Sequence, residues 1–467
     1  MRSLVLLPEA VVVAGAIGML FLGRPGVMRR GRRRYLPVAA TLVALVALGI
    51  ELWVGAVLSS FFSGALVQDR FALFAKAAAL LAAAAAIAVT DWSAEESQPV
   101  GLAMPLLAAF GVMVAASSGD LVGLWAGIEL AGLAAVVLVA TRRPDLGIRL
   151  LVTGAVGTAL LLVGIAYVYA TVGTADLAAL RQLLQVESPT LPLALPVLLL
   201  FGGLAVRAGW APYQFARVPV ALGASPLGTG VVVGLVAMAA VTVGIKVTAV
   251  LTFRPELFTS GLLVLAAVAM VGGGAAALAA RSPRARLVYL AVGQAGWLVA
   301  GLATDYRAGL GATLFLLGAF GVAATAGPAA LGGVEGGEGG LAGLGSLRPA
   351  RAAALAIAAL SLAGAPPLAG FFGEFAVAAS LAQSGQFALL ALGLLGAVLS
   401  QAAALGTVRA AYFQSLPDEA RRGAIPSWTR FSSAGAVGLC AVIVAYGVFA
   451  SPIMGLADQG AKALGLR

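Results

Sequence analysis

Fourteen stretches of about 20 apolar residues, the length that crosses a bilayer as a helix, run through this chain. They lie at 4–22, 36–54, 71–90, 100–117, 119–140, 147–170, 189–216, 220–250, 257–279, 283–303, 307–331, 350–383, 385–412 and 431–455. In lipid only a helix or a closed barrel satisfies its own backbone polar groups. The pattern therefore predicts an all-α integral membrane protein with about 14 transmembrane helices. Composition agrees: 61% of the 467 residues are hydrophobic and 10% are charged, against roughly 25% charged in a soluble domain.

The basic residues assign sides. With loops taken alternately, 19 fall on one side, including the arginine cluster at 24–34 and Arg217, Arg286 and Arg351; 7 fall on the other, and Lys76, Arg207 and Lys246 lie within spans. The positive-inside rule then puts both termini outside and the cluster in the cytoplasm, as in the inner membrane of a bacterial-type cell. The net charge of +10 is thus topological, and nucleic acid is not an expected partner. The first stretch does not read as a cleaved signal, because its arginines follow the apolar run and Glu9 interrupts it. Gly332–Gly345, with Glu335 and Glu338, reads as a flexible cytoplasmic linker.

Four ionisable residues, Glu129, Arg207, Lys246 and Glu374, sit inside otherwise apolar spans. A charge at the bilayer centre costs roughly 2.5–3.5 kcal/mol, and such residues usually line an ion or substrate path. Two spans also carry prolines where a helix should be continuous: Pro212 and Pro219 follow Arg207, and Pro366 and Pro367 precede Glu374. Proline removes an N–H donor and clashes with the preceding turn. Broken helices beside charge mark ion sites in transporters, although proline also simply kinks membrane helices. The breaks fall in spans seven and twelve. That spacing predicts two five-helix repeats, spans 4–8 and 9–13, in opposite membrane orientation. A single membrane domain would then divide into N-terminal helices (1–99), a first repeat (100–250), a second repeat (257–412) and a C-terminal loop and helix (413–467).

One cysteine and no histidine leave no framework for disulfides, iron–sulfur clusters or haem. No glycine-rich dinucleotide fingerprint stands between a strand and a helix. The chain carries no redox site of its own, and any proton chemistry must run on carboxylates, lysines and water.

These landmarks resemble the antiporter-like membrane subunits of respiratory complex I, specifically the N type. The opening "LLPE" (Leu6 to Glu9), "SSGDLVGLWAGIEL" (Ser117 to Leu130) with its Glu129, "LAVRAGWAPYQF" (Leu204 to Phe215), "RARLVYLAVGQAGW" (Arg284 to Trp297) and "SLAGAPPLAGFFGEF" (Ser361 to Phe375) fall in the family's order. The last is similar to the pattern S-L-x-G-x-P-P-x-x-G-F-x-x-K. Several functional positions depart from the family. The seventh-helix lysine is Arg207, the eighth-helix lysine would fall near Val236 or Ala237, the histidine of H-A-G-Y is Gln294, and the twelfth-helix lysine is Glu374.

The resemblance implies a proton-translocating subunit of a complex I-like quinone oxidoreductase. Quinone, iron–sulfur clusters and flavin would then reside only in partner membrane and peripheral subunits. Within the same family, a hydrogenase- or ferredoxin-linked complex and a multisubunit cation/proton antiporter are alternatives, as is a structural subunit that no longer pumps. Arginine does not deprotonate in proteins, so Arg207 is expected to hold Glu129 as an ion pair. Lys246 is either a buried proton acceptor or a side chain snorkelling to the outer surface. Glu374, behind the Pro366-Pro367 break, is a proton-loading acid. Gln294, Tyr289, Ser225, Thr229 and Thr242 are candidates for a polar axis between the two sites. Lys76 and Asp69 are expected to pair at the outer boundary, and Glu51 to be interfacial.

Overall fold

A computed structural model describes residues 4–24, 27, 33–55, 59–92, 98–186, 193–304, 306–332, 334, 338–415 and 430–465. Eleven described helices are long and apolar enough to cross a membrane, and three shorter apolar helices bring the described set to the fourteen expected. In chain order the helices are α1 (Leu7–Leu22), α2 (Leu36–Val54), α3 (Arg70–Val89), α4 (Gln98–Ser117), α5 (Leu121–Ala140), α6 (Pro144–Val172) and the short surface helix α7 (Leu177–Val186). Then come α8 (Ala194–Ala208), α9 (Gln214–Gly223), α10 (Pro226–Val250), α11 (Thr259–Ala279), α12 (Pro283–Leu302) and α13 (Tyr306–Ala329). The chain continues with α14 (Pro349–Leu362), α15 (Ala369–Gln383), α16 (Phe387–Tyr412), α17 (Arg430–Val448) and α18 (Ala450–Ala463). Arg29, Arg30, Arg32, Arg421, Arg422 and Glu335 lie outside the described residues.

Polar caps set the helix starts. Asp69 accepts from the Ala72 N–H at 2.7 Å, and Asp120 from the Gly123 N–H at 2.7 Å. Ser225 accepts from Gly228 and Ser282 from Ala285, each at 3.1 Å. Each cap satisfies a backbone donor that the first helical turn leaves orphaned. The Ser225 cap corrects the expected joint between spans seven and eight. The break lies at 224–225 rather than 216–220, and Pro219 sits inside α9. A two-stranded hairpin, β1 (Ser59–Phe61) and β2 (Leu66–Gln68), joins α2 to α3. Three residues per strand are too few to show an alternating pattern.

The two broken helices turn at the same kind of residue. α8 ends in Gly209 at φ +68, followed by the cis Ala211–Pro212 bond and α9; α14 leads into Gly364 at φ +66, the cis Pro366–Pro367 bond and α15. Glycine takes this left-handed conformation without a Cβ clash. Each broken helix is fourth in a run of five: α4, α5, α6, α8/α9, α10 and then α11, α12, α13, α14/α15, α16. In both runs the first and fifth members pack together, and the third packs on the broken one.

α10 and α13 form the centre and are buried almost throughout. They approach closely at a π-helical turn, Val231–Leu235. A Cβ on Gly230 or Gly234 would lie 2.0 or 2.1 Å from Thr325 of α13. Such turns are frequent at functional sites.

Three arginines assigned to loops are instead buried. Arg217 lies on α9, Arg286 donates to the Ala280 carbonyl at 3.1 Å, and Arg351 donates through Nε to the Ala330 carbonyl at 2.7 Å. The short joints draw these side chains back over the helix ends. Removing them leaves sixteen loop cations against seven, so the sign of the bias is unchanged.

Candidate functional site

Glu129 lies mid-way along α5, and Arg207 in the last turn of α8 at the seventh-helix break. The Arg207 guanidinium stands 3.2 Å from Glu129 Oε2, both side chains being largely buried. Nη2 also donates to the Ile128 carbonyl at 3.0 Å, and the Thr158 hydroxyl donates to Glu129 Oε1 at 2.5 Å. Glycines make room for the arginine on two neighbouring helices. A Cβ on Gly132 would lie 2.1 Å from Nη2, one on Gly154 2.7 Å from Nη1, and one on Gly157 2.8 Å from Cγ. The sequence order of these glycines carries no signal for this slot, because its parts come from α5 and α6. Thr158 was missed for the same reason.

At the other break Glu374 is 7% exposed and has a different partner. The Gln294 amide on α12 donates to Glu374 Oε1 at 3.0 Å and to the Ser361 carbonyl at 2.9 Å. No cation lies within ion-pair distance of Glu374 among the described residues. The carboxylate lies over the left-handed turn, where a Cβ on Gly364 would meet Oε2 at 2.1 Å. Gln294, which stands where the resemblance would place a histidine, is therefore bonded to the acid that stands where it would place a lysine.

Lys246 does not snorkel. It is 4% exposed, donates to the Ser118 carbonyl at 2.6 Å, and lies over the Phe71 ring at 5.5 Å. Asp69, just ahead of α3, bears on it electrostatically. Burial pushes the Asp69 carboxyl above its usual range, and the Lys246 ammonium opposes that rise.

The other axis candidates divide. Thr242 is buried, and its hydroxyl has no hydrogen-bond partner among the described residues. Thr229 donates to the Ala221 carbonyl at 2.6 Å. Ser225 is taken up as the α10 cap. Tyr289 is half-buried on α12. Arg217 was not a candidate, yet it is buried in the seventh-helix break, and its Nε and Nη1 have no partner among the described residues. It lines a small cavity with Trp210, Val233, Ala237 and Ala291. Ala237 is one of the two positions near which the resemblance would place an eighth-helix lysine. The presence of an arginine between Pro212 and Pro219 was the available sequence signal.

Two further expectations are corrected. Lys76 pairs with Glu9 at 2.5 Å rather than with Asp69, which is occupied as the α3 cap. Glu51 is 1% exposed rather than interfacial, because the β1–β2 hairpin brings Gln68 over it at 2.6 Å. Among the described residues no group of three or more His, Cys, Asp or Glu is placed to hold a metal ion.

The family model for the membrane part of NADH:quinone oxidoreductase and Mrp antiporters matches residues 118–400. The NADH-quinone oxidoreductase subunit N of Granulibacter bethesdensis is 31% identical over 98% of this chain and 98% of its own length. A chain of respiratory complex I from Thermus thermophilus superposes with a TM-score of 0.81 at 24% identity, covering 97% of this chain and 99% of that one. A chain of the Mrp complex from Dietzia superposes at 0.82 with 21% identity, covering 98% and 97%. The two solved structures share the fold, and the family model with the 31% identical relative places this chain among the antiporter-like membrane subunits of the NADH:quinone oxidoreductase/Mrp family, of the N type.

Proposed function

We propose that this chain is the proton-translocating, antiporter-like membrane subunit of a complex I-like quinone oxidoreductase. Its partners are the other membrane and peripheral subunits, which hold the electron chemistry. The observation that carries this reading is the pairing of each helix break with a buried acid: Glu129–Arg207 at the first and Gln294–Glu374 at the second. In the absence of a second charge at Glu374, a proton on its carboxyl removes an uncompensated buried charge. Glu374 is thus the acid that loads and releases. Arg207 keeps its proton; its work is electrostatic, facing the Glu129 carboxyl at 3.2 Å while the pair is closed and exposing an unbalanced charge when it opens. Lys246, hydrogen-bonded to the Ser118 carbonyl, accepts and passes a proton at the far end of the first repeat. Arg217 contributes a fixed cation beside Ala237.

The reading takes in the division into helices 1–99, inverted repeats at 100–250 and 257–412 and a C-terminal part at 413–467. It also takes in an inner-membrane location with both termini outside, supported by the basic loop bias.

The test is Glu129→Gln in the intact assembly, with protons moved per electron as the readout. The ratio is expected to fall while quinone reduction and assembly persist. An unchanged ratio in a normally assembled complex rules out Glu129 and with it the first site. Glu374→Gln, which keeps an oxygen for the Gln294 amide, tests the second site in the same way.

A further inference from the structure

The N-terminal three helices hold a second charge cluster that the translocation sites do not use. Glu9 is in the first turn of α1, Glu51 in the last turn of α2, and Lys76 in the second turn of α3. Because α2 runs opposite to its neighbours, all three lie at the same end of the three-helix group. Lys76 is fully buried, with Nζ 2.5 Å from Glu9 Oε1 and 3.9 Å from Glu51 Oε2. Gln68, on β2, links the remaining atoms: it accepts from Lys76 at 2.7 Å and donates to Glu51 Oε1 at 2.6 Å. Glu9 Oε2 has no partner among the described residues.

A staple between helices needs one acid and one base, and here there are two acids. With all three groups ionised the cluster carries one uncompensated negative charge in a buried setting. Such a charge is costly, and two carboxylates sharing a site do not both ionise readily. The contacts of the two acids differ. Lys76 is in direct contact with Glu9 and reaches Glu51 only at 3.9 Å, mainly through the Gln68 amide. Helix α4 packs against α1 and α3 and brings no charged residue. Asp458 and Lys462 of α18 and Arg430 of α17 form no ion pair with the cluster.

Lys246 approaches the start of α3: Asp69 follows Gln68 in sequence and caps this helix, and Lys246 lies over the ring of Phe71, two residues further on, at 5.5 Å. Lys246, bonded to Ser118 at the end of α4, is at the same end of the bundle. We propose that Glu9, Glu51, Lys76 and Gln68 form a proton-holding site in the N-terminal helices, with one proton carried on Glu51. That proton exchanges with Lys246 past Asp69: the O–H bond at Glu51 breaks as an N–H bond forms on neutral Lys246, and the reverse step reloads Glu51. Exchange with Lys246 rests on the translocation reading above; the resident proton on Glu51 does not.

Infrared difference spectroscopy of the intact purified assembly at neutral pH tests the resident proton. Subtracting Glu51→Gln from the unaltered complex is expected to reveal one protonated-carboxyl band. Glu9→Gln frees Lys76 to pair with Glu51, so the same band is expected to disappear, which keeps the test available should Glu51→Gln fail to assemble. If neither variant removes a protonated-carboxyl band, the proposal is overturned. For exchange, the protons moved per electron in Glu51→Gln are expected to drop to the value of Glu129→Gln. A lost band with an undiminished ratio means the proton is static, and the exchange step is wrong. If Glu129→Gln itself leaves the ratio unchanged, the translocation reading fails while the infrared result still reports on Glu51.

Discussion

At the seventh-helix break the buried acid has a permanent cation 3.2 Å away; at the twelfth it has a neutral amide at 3.0 Å. The backbone device is shared, a left-handed glycine followed by a cis proline, but the electrostatics differ. Glu129 and Arg207 are bound by mutual need, since removing either leaves the other charged and buried. Glu374 and Gln294 are bound only by a hydrogen bond that the neutral acid can also accept. One fold therefore offers a locked charge pair at one break and a site able to change its protonation at the other.

The largest expected effect breaks the locked site. Arg207→Met leaves Glu129 buried without its cation, a change that typically costs about 3–5 kcal/mol. Thermal unfolding of the purified assembly should show it, together with loss of this subunit from the complex. Arg207→Lys should recover most of the stability, because a cation is restored, while the bond to the Ile128 carbonyl is weakened by the shorter side chain. If Arg207→Met proves no more damaging than changes at the Glu374 site, the contrast between locked and switchable sites is lost.

The fold was legible in the chain because hydropathy reports membrane helices directly. All fourteen predicted spans have a helix, and the breaks lie at Pro212 and at Pro366-Pro367, whereas Pro219 lies inside α9. The details that failed are those decided by contacts between distant segments. Arg217 looked like a loop residue because it falls between two prolines, yet the break folds it inward against Gly209, where a Cβ would lie 2.6 Å from its Cδ. Glu51 looked interfacial from its place near the end of α2; the hairpin over it was invisible. Glu129 and Arg207 stood out singly as charges in apolar runs, but the glycine slot that lets them meet, from Gly132, Gly154 and Gly157, is assembled by packing and has no local signature.

A middle-sized effect is expected at the twelfth-helix site. Gln294→Leu removes the donor to both Glu374 Oε1 and the Ser361 carbonyl. Leaving buried acceptors unsatisfied costs about 1–3 kcal/mol. This is less than the Arg207→Met loss because the carboxyl can take a proton and shed its charge. Proton movement per electron should fall as well, since the acid loses the amide that orients it. Unchanged stability combined with an unchanged ratio would remove Gln294 from the site.

The smallest effect sharpens the account of the locked pair. Thr158→Val keeps the shape of the side chain and deletes the hydroxyl that donates to Glu129 Oε1. With Arg207 still in place, the expected loss is about 0.5–1.5 kcal/mol, the net worth of one hydrogen bond. Its value lies in a double-mutant cycle with Arg207→Lys. If the guanidinium and the hydroxyl hold the carboxylate jointly, the two losses do not add, because loosening one lets the carboxylate turn toward the other. Additive losses would mean that Thr158 positions α6 rather than Glu129, and the pair would then be locked by Arg207 and its glycine slot alone.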